Sequence, residues 1–400
     1  MPPARIGVAL SGGGDSVALL HLLVRALGAE DSRIFAATVD HGLRPEAAAE
    51  AAAAGQLAAS LGVPHQVLRW QDWDGAGNLQ DQARQARYRL LEDWALAQDI
   101  GVLAVGHTAD DQAETLLMRL GRSAGVAGLA GMAPERLLPG GVRLIRPLLG
   151  VERADLRRYL RAQGLGWAED PSNLDDRFAR VRARRALAAL ADLGISAASL
   201  GDVAENMARA DQALGWAAYQ AAGDLGRVTA GAVVLAAGDF ALLPQEIARR
   251  LLLGALQWIS GQPYPPRRAP LDQLLADLRQ GGGGTLGGCQ VFVRREEIWI
   301  CREFQAVRDL RCPPSALWDG RWRLTGPAPD GSELRALGTE ALLQCPARVE
   351  TGLPRRLLAA SPALWLGDRL IAAPLAGHAQ GHHLHLAPGE ASFRASLLSH

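Results

Sequence analysis

Six residues near the start of the chain carry its sharpest chemical signal: Ser11, Gly12, Gly13, Gly14, Asp15 and Ser16. They stand between a short apolar run, RIGVAL, and a helical pattern, VALLHLLVRAL. Three successive glycines open dihedrals closed to other residues and let backbone amides approach a ligand closely. A helix starting there offers N–H groups without partners and a partial positive charge. Together these make an anion cradle suited to a pyrophosphate. Ser11 and Ser16 add hydroxyl donors, and Asp15 can cap the helix or reach a metal carried by the phosphates. The plain alternative is a glycine-rich turn with Asp15 or Ser16 as N-cap. A Walker A site is excluded, because it needs a lysine and the chain has none.

A second group follows a later apolar run, VLAVGH. It comprises His107, Asp110, Asp111 and Glu114. Asp111 and Glu114 are three apart and share a helical face. Paired acids at the mouth of an anion site can hold Mg²⁺ against phosphates, or they can bind the ammonium group of an amine. Acids in a first helical turn also simply complement the helix dipole. His107 titrates near neutrality and can polarise or deprotonate a substrate. A structural histidine bonded to a backbone carbonyl is an equal reading, for His107 and for His41 alike.

Arginines surround these groups. Arg84, Arg87 and Arg89 lie along one helical pattern, Arg119 and Arg122 extend the acidic helix, and Arg177, Arg180, Arg182, Arg184 and Arg185 crowd a later one. From Arg143 to Arg185 eleven arginines stand against six acids, a local balance of 11 − 6 = +5, although the formal net charge of the chain is zero. A basic run beside an active site suits RNA phosphates. Solvated helix faces carry such residues too. Arg87, Arg119, Arg122, Arg180, Arg182, Arg184 and Arg185 are the candidates for RNA contact.

These groups need a frame that brings loops together. Apolar runs at 5–10, 33–40, 64–70 and 102–107 alternate with helical stretches at about 16–28, 45–61 and 79–98. That alternation reads as α/β, with a parallel sheet covered on both faces. Such sheets seat ligands at the carboxyl ends of their strands. Another amphipathic helix is expected at 150–163, then a polar turn at 169–176 that the Asp170-Pro171 pair keeps out of helix. Helical sequence is expected from about 177 to 220, at 241–258 and at 270–280. After Gly281–Gly284 come short alternating strands, a linker within 311–331, and more strands and turns. With 400 residues the chain exceeds one ordinary core. The expected division is a catalytic domain at 1–190, a helical linker at 191–224 and modules at 225–310 and 315–400.

Composition bounds the class. The chain is 48% hydrophobic and 21% charged, which fits a soluble globular protein. No apolar run reaches about 18 residues, so no membrane span is expected, and the start of the chain lacks the pattern of a secretory signal. Cys289, Cys301, Cys312 and Cys345 match no zinc spacing and read as reduced cytosolic thiols. His378, His382, His383 and His385 have no acid or cysteine at ligand spacing, so no metal site is expected there.

The string SGGGDS at 11–16 resembles the PP-loop of the N-type ATP pyrophosphatases. The ordered set VDHGLRPE at 39–46, GHTADDQAET at 106–115, RPLL at 146–149 and EDPSN at 169–173 resembles the tRNA(Ile)-lysidine synthetase family. The resemblance covers residues 5–185 and thins beyond them. It implies a doubly wound parallel sheet of the PP-loop ATPase type, with ATP at Ser11, Gly12, Gly13, Gly14, Asp15 and Ser16. It implies catalytic roles for Asp15, Asp110, Asp111 and His107, Mg²⁺ on the side of Asp15 and Asp110, and lysine at Asp111 and Glu114. Its cofactors are ATP and Mg²⁺, and its partners are an isoleucine tRNA with a CAU anticodon and free L-lysine. It further implies a cytoplasmic protein with no membrane partner, and it leaves a homodimer open. The implied reaction adenylates the wobble cytidine and then lets lysine displace AMP to give lysidine. The modules at 225–310 and 315–400 are implied to contact tRNA, with Arg355 and Arg356 in a stretch, 352–376, that loosely matches. Val181 stands where the family usually has an asparagine, which puts one hydrogen bond in doubt.

Two rivals share parts of this pattern. A tRNA thiolase has the same loop but wants cysteines, and none of the four lies in the first 288 residues. A non-catalytic RNA-binding protein with a degenerate nucleotide domain is the other, and ATP–pyrophosphate exchange separates it from an enzyme.

Overall fold

The computed structural model describes residues 5–28, 33–42, 47–70, 79–168, 177, 179–262, 264–387, 389 and 391–398. The first half alternates strand and helix: β1 (Ile6–Ala9), α1 (Gly14–Leu27), β2 (Ile34–Asp40), α2 (Ala47–Ser60), β3 (His65–Arg69), α3 (Leu79–Ala97), β4 (Val102–Val105) and α4 (Ala109–Leu120). All four apolar runs are strands and the stretches between them are helices. Next come a short α5 (Val126–Leu129) and two three-residue strands, β5 (Glu135–Leu137) and β6 (Arg143–Ile145). Their brevity left no periodicity to read. Then follow α6 (Arg153–Ala162), α7 (Ala179–Leu190) and α8 (Ala197–Leu225).

The six strands form one sheet in the order β3-β2-β1-β4-β6-β5. β1 runs parallel to both β2 and β4, and β6 runs parallel to β4. β5 pairs antiparallel at the edge, so the sheet is parallel apart from that strand. Successive side chains along β1 enter opposite cores. Ile6 and Val8 pack with Val17, Ala54, Ala58, Leu156 and Leu160, from α1, α2 and α6. Ala9 packs with Leu91, Trp94, Leu103, Val105 and Leu144 on the α3 face. Gly7 is small because Trp94 occupies its space: a Cβ there would lie 2.7 Å from the indole ring. Both faces are therefore covered, and the loops after β1 and β4 emerge side by side.

The chain divides into two compact units, 1–211 and 212–400, with the division inside α8. In the second unit a five-stranded antiparallel sheet is covered by the helices Gln245–Ser260 and Arg268–Arg279. Its core joins Val233, Leu235, Leu252, Leu256, Leu275, Val291 and Ile300. A four-stranded sheet and a two-stranded ribbon follow. The last helix, Ala391–Ser396, returns to the first of these cores, where Phe393 and Leu397 are 2% and 5% exposed. Trp258 Nε1 donates to Ser392 Oγ at 2.8 Å. Gly254 makes the room, since a Cβ there would lie 2.3 Å from Leu397. His382, of the C-terminal histidines, is buried with Nε2 against the Pro327 carbonyl at 2.8 Å, which ties two segments 55 positions apart. Among the described residues no single helix is long and apolar enough to cross a membrane.

Candidate active site

The loop after β1 is held by its own hydroxyls. Ser16 Oγ donates to the Gly13 carbonyl at 2.9 Å and accepts the Ser11 N–H at 3.1 Å. Gly12 takes φ +82, a left-handed conformation, and its carbonyl accepts the Ala168 N–H at 2.9 Å. The N-cap of α1 is Gly13, which has no side chain to satisfy the first-turn amides. Ser11 and Ser16 thus shape the loop, and the helix N-terminus is left without a side-chain cap, an arrangement that suits an anion. Gly106 at the end of β4 presses against it: a Cβ there would sit 3.0 Å from the backbone of Asp15 and Ser16.

The acids of α4 divide their oxygens between structure and the cleft. Thr108 is the N-cap and forms a capping box with Asp111. Asp111 Oδ2 accepts the Thr108 N–H at 2.9 Å, which leaves Oδ1 turned to Arg153 at 3.4 Å. Asp110 Oδ2 accepts the Arg153 N–H at 2.7 Å and so caps α6. Glu114 is 1% exposed. Its Oε1 accepts from Arg184 Nε at 2.9 Å and Arg153 Nη1 at 3.4 Å, while Oε2 is buried without a partner among the described residues. Arg153 also reaches Asp15 Oδ2 at 3.1 Å. One guanidinium therefore touches three carboxylates.

The charge states follow. Burial lifts the Asp15 carboxyl above its usual range despite Arg153. Burial would lift Asp111 too, but Arg153 and the Thr108 N–H outweigh it and hold that carboxyl low. Burial opposes the charge on Arg153, yet Asp111, Asp15 and Glu114 hold its pKa above the ordinary value.

On the α3 side stands a group of cations. The guanidinium carbon of Arg84 lies 5.2 Å, and that of Arg136 4.8 Å, from the centre of the Tyr88 ring. Arg146 Nε donates to His107 Nδ1 at 3.2 Å. Arg87 is pushed down by burial and by Arg84 and Arg180. Among the described residues no carboxylate is in ion-pair contact with Arg84, Arg87, Arg136, Arg146 or Arg180. Such a cluster suits a polyanion. Burial, reinforced by Arg146, Arg87 and Arg84 against Asp111, pushes His107 down to about 3. The ring is neutral at pH 7, and since Nδ1 accepts, the proton sits on Nε2.

That neutral ring makes a prediction. An unfolded histidine takes up a proton near pH 6.5 that the folded His107 refuses. Between pH 6.5 and about 3 the unfolded state binds more protons, so stability falls as pH falls, by about 1.4 kcal/mol per pH unit for one such group. His41 and His65 are also lowered by burial and add to the slope. Urea titrations across this range should show the loss, and His107→Asn should remove about one proton's worth of it. An unchanged slope would mean that the ring is not held neutral.

The remaining candidate arginines separate. Arg184 joins the carboxylates. Arg119 Nη1 donates to the carbonyls of Gly128 and Gly131 at 2.7 and 2.9 Å, closing the loop after α4. Arg122, Arg182 and Arg185 are exposed. Val181 is buried at 6%. Residues 43–46 and 169–173, parts of two motifs, lie outside the described residues. Among the described residues no three His, Cys, Asp or Glu side chains form a metal-holding group.

Sequence reasoning missed Arg153 and Arg136. Arg153 had one usable signal. A cation at the first position of α6 opposes the helix dipole, an arrangement that asks for nearby acids.

The PP-loop domain family matches residues 1–191. A tRNA(Ile)-lysidine synthase from Ruegeria pomeroyi is 56% identical over 399 residues, covering 100% of this chain and 95% of that protein. One from Hyphomonas neptunium is 38% identical over 346 residues, covering 84% and 86%. Among solved structures, the U34-tRNA thiolase NcsA from Methanococcus maripaludis matches with a TM-score of 0.45 at 18% identity, covering 52% of this chain and 74% of that one.

Proposed function

The chain belongs to the tRNA(Ile)-lysidine synthase family, and from that premise we propose which residues carry its reaction. It is an ATP-using ligase that acts on tRNA(Ile). The observation that carries the residue-level reading is Glu114, a buried carboxylate with an oxygen that no group among the described residues satisfies. Leaving such an atom unpaired is costly, and an ammonium group with its three donors is the natural partner. We therefore assign the ε-ammonium or α-ammonium of free lysine to Glu114 and Asp111 Oδ1.

ATP binds with its pyrophosphate over residues 12–16, on the uncapped N-terminus of α1. Asp15 and Asp110 would hold Mg²⁺ against the phosphates and neutralise charge there; one or two carboxylates plus phosphate oxygens is the usual Mg²⁺ arrangement. The C2 oxygen of the wobble cytidine attacks the α-phosphate and pyrophosphate leaves. The lysine ε-amine, its ammonium proton having passed to solvent, then attacks C2, and the C–O bond breaks to release AMP. Holding both substrates against the nucleotide contributes much of the rate. His107 is assigned a hydrogen-bond donor's role through Nε2–H, since its other nitrogen is taken by Arg146. The cations around Tyr88, with Arg87 and Arg180, are assigned to phosphates of the tRNA, and so are the exposed Arg122, Arg182 and Arg185. The chain holds no lysine, so no ε-amine of its own competes for the activated base. The stretches 225–310 and 315–400 are assigned to tRNA recognition, and the cytoplasm, where tRNA and free lysine meet, is the proposed location.

The test uses purified protein, ATP, Mg²⁺, labelled lysine and an isoleucine tRNA transcript with a CAU anticodon, with the methionine tRNA as control. Label entering only the isoleucine tRNA, and only with ATP, is the expected result. AMP release with a different amine would keep the nucleotide site and discard the lysine assignment.

A further inference from the structure

We propose that Arg153 is an internal competitor for the amine site, drawn away when nucleotide binds, so that free lysine is admitted only to the nucleotide-loaded enzyme. The proposal rests on the assignment of Asp111 and Glu114 to lysine.

The guanidinium lies where a bound ammonium would. Nε, Nη2 and Nη1 face Asp15, Asp111 and Glu114 at 3.1, 3.4 and 3.4 Å, one nitrogen to each acid. The side chain is only 14% exposed, so a second cation cannot share the space without strong repulsion. Exchanging Arg153 for lysine keeps a cation against these acids, whereas adding lysine beside it would crowd two cations onto the same oxygens.

The hydrogen bonds that position Arg153 are long, although the acids favour its charge. Charge-assisted N–H···O bonds are usually about 2.7–2.9 Å, and all three contacts are longer. Arg184 Nε, by contrast, meets Glu114 at 2.9 Å. Arg153 also starts α6, where the helix dipole disfavours a cation. The nearest of its three acids, Asp15, belongs to the first turn of α1, so a phosphate on that helix terminus lies within the arginine's reach. Arginine binds phosphate through two parallel bonds, a better match than three stretched ones. A cation carried by the phosphates would take Asp15 as well. Once Arg153 leaves, Asp111 Oδ1 and Glu114 lose a cation that an ammonium can replace.

Equilibrium dialysis of labelled lysine against the full chain tests this, with and without Mg²⁺ and an ATP analogue carrying a methylene between its α and β phosphorus atoms. Lysine should bind at least about tenfold tighter with the analogue, and by linkage lysine should tighten the analogue by the same factor. Arg153→Ala should bind lysine without nucleotide and reduce the dependence to under about threefold, whereas Arg153→Lys should keep most of it. Equal lysine binding by the wild-type chain in both states overturns the proposal, as does no binding in either. If Arg153→Ala does not fold, the wild-type pair and its reciprocal measurement still decide. Glu114→Gln separates the two readings. If it fails to weaken lysine in the loaded state, the site assignment falls; if it weakens lysine but the wild type ignores nucleotide, only the competitor role of Arg153 falls.

Discussion

Replacing Glu114 by glutamine is expected to raise the lysine KM by about 10- to 150-fold while ATP–pyrophosphate exchange in the presence of tRNA survives. A hydrogen bond to a charged group contributes about 1.5–3 kcal/mol, and each 1.4 kcal/mol is a factor of ten. Glutamine keeps the shape and volume of the side chain, so the backbone of α4 need not move. It replaces one acceptor oxygen by a donor that faces the substrate's ammonium. The same change leaves Arg184 and Arg153 short of a partner. Truncating a fully buried pair costs about 3–5 kcal/mol, but Arg184 is 40% exposed and water takes up part of the loss. A modest fall in thermal midpoint should therefore accompany the kinetic change. Steady-state incorporation at varied lysine, read beside the exchange rate, separates the two. An unchanged KM would move the amine site away from Glu114.

The second large effect lies at a residue with no side chain. Gly106→Val is expected to lower ATP–pyrophosphate exchange by about a hundredfold, with the sheet intact by circular dichroism. A Cβ at 106 would already sit 3.0 Å from the Asp15 and Ser16 backbone. Valine adds two methyl groups, and neither neighbour is a flexible side-chain end that can swing away. The first turn of α1 must shift, and it carries the amides assigned to the pyrophosphate. At saturating nucleotide, lysine binding to Asp111 and Glu114 should change far less, because α4 is anchored by its own Thr108 capping box. Normal exchange by the variant would mean that the loop tolerates displacement and that the cradle is not the rate-determining element.

Much of this architecture was legible in one dimension. A parallel sheet covered on both faces needs unbroken apolar strands, and IGVA, IFAATVD and VLAV are nearly pure examples. The loop was legible because the whole SGGGDS string, set between a first strand and a first helix, is far more specific than a glycine triplet alone. The acids of α4 were legible as a group, but their division of labour was not. Asp111 spends one oxygen on Thr108 and Asp110 spends one on α6, and only coordinates separate those bonds from the cleft. Arg153 stayed hidden for a different reason. It meets Asp15 across 138 positions and Asp111 across 42, and its own helix reads as ordinary amphipathic sequence. The short strands β5 and β6 were invisible because three residues cannot establish a period. The pairing of Tyr88 with Arg136 depends on those strands and was invisible with them.

The last helix carries a lesson about inheritance. Phe393 and Leu397 complete a core otherwise built from residues 222–300, and Gly254 and Trp258 are shaped to receive them. The two stretches of the second unit are thus interlocked like a box and a lid cut from the same board. A gene fragment ending near 310 would encode a core with an open hole. A relative that donated its own terminal stretch would have to donate the matching plug as well. Recombination can therefore pass these stretches on as a pair, while drift in either one is answerable to the other.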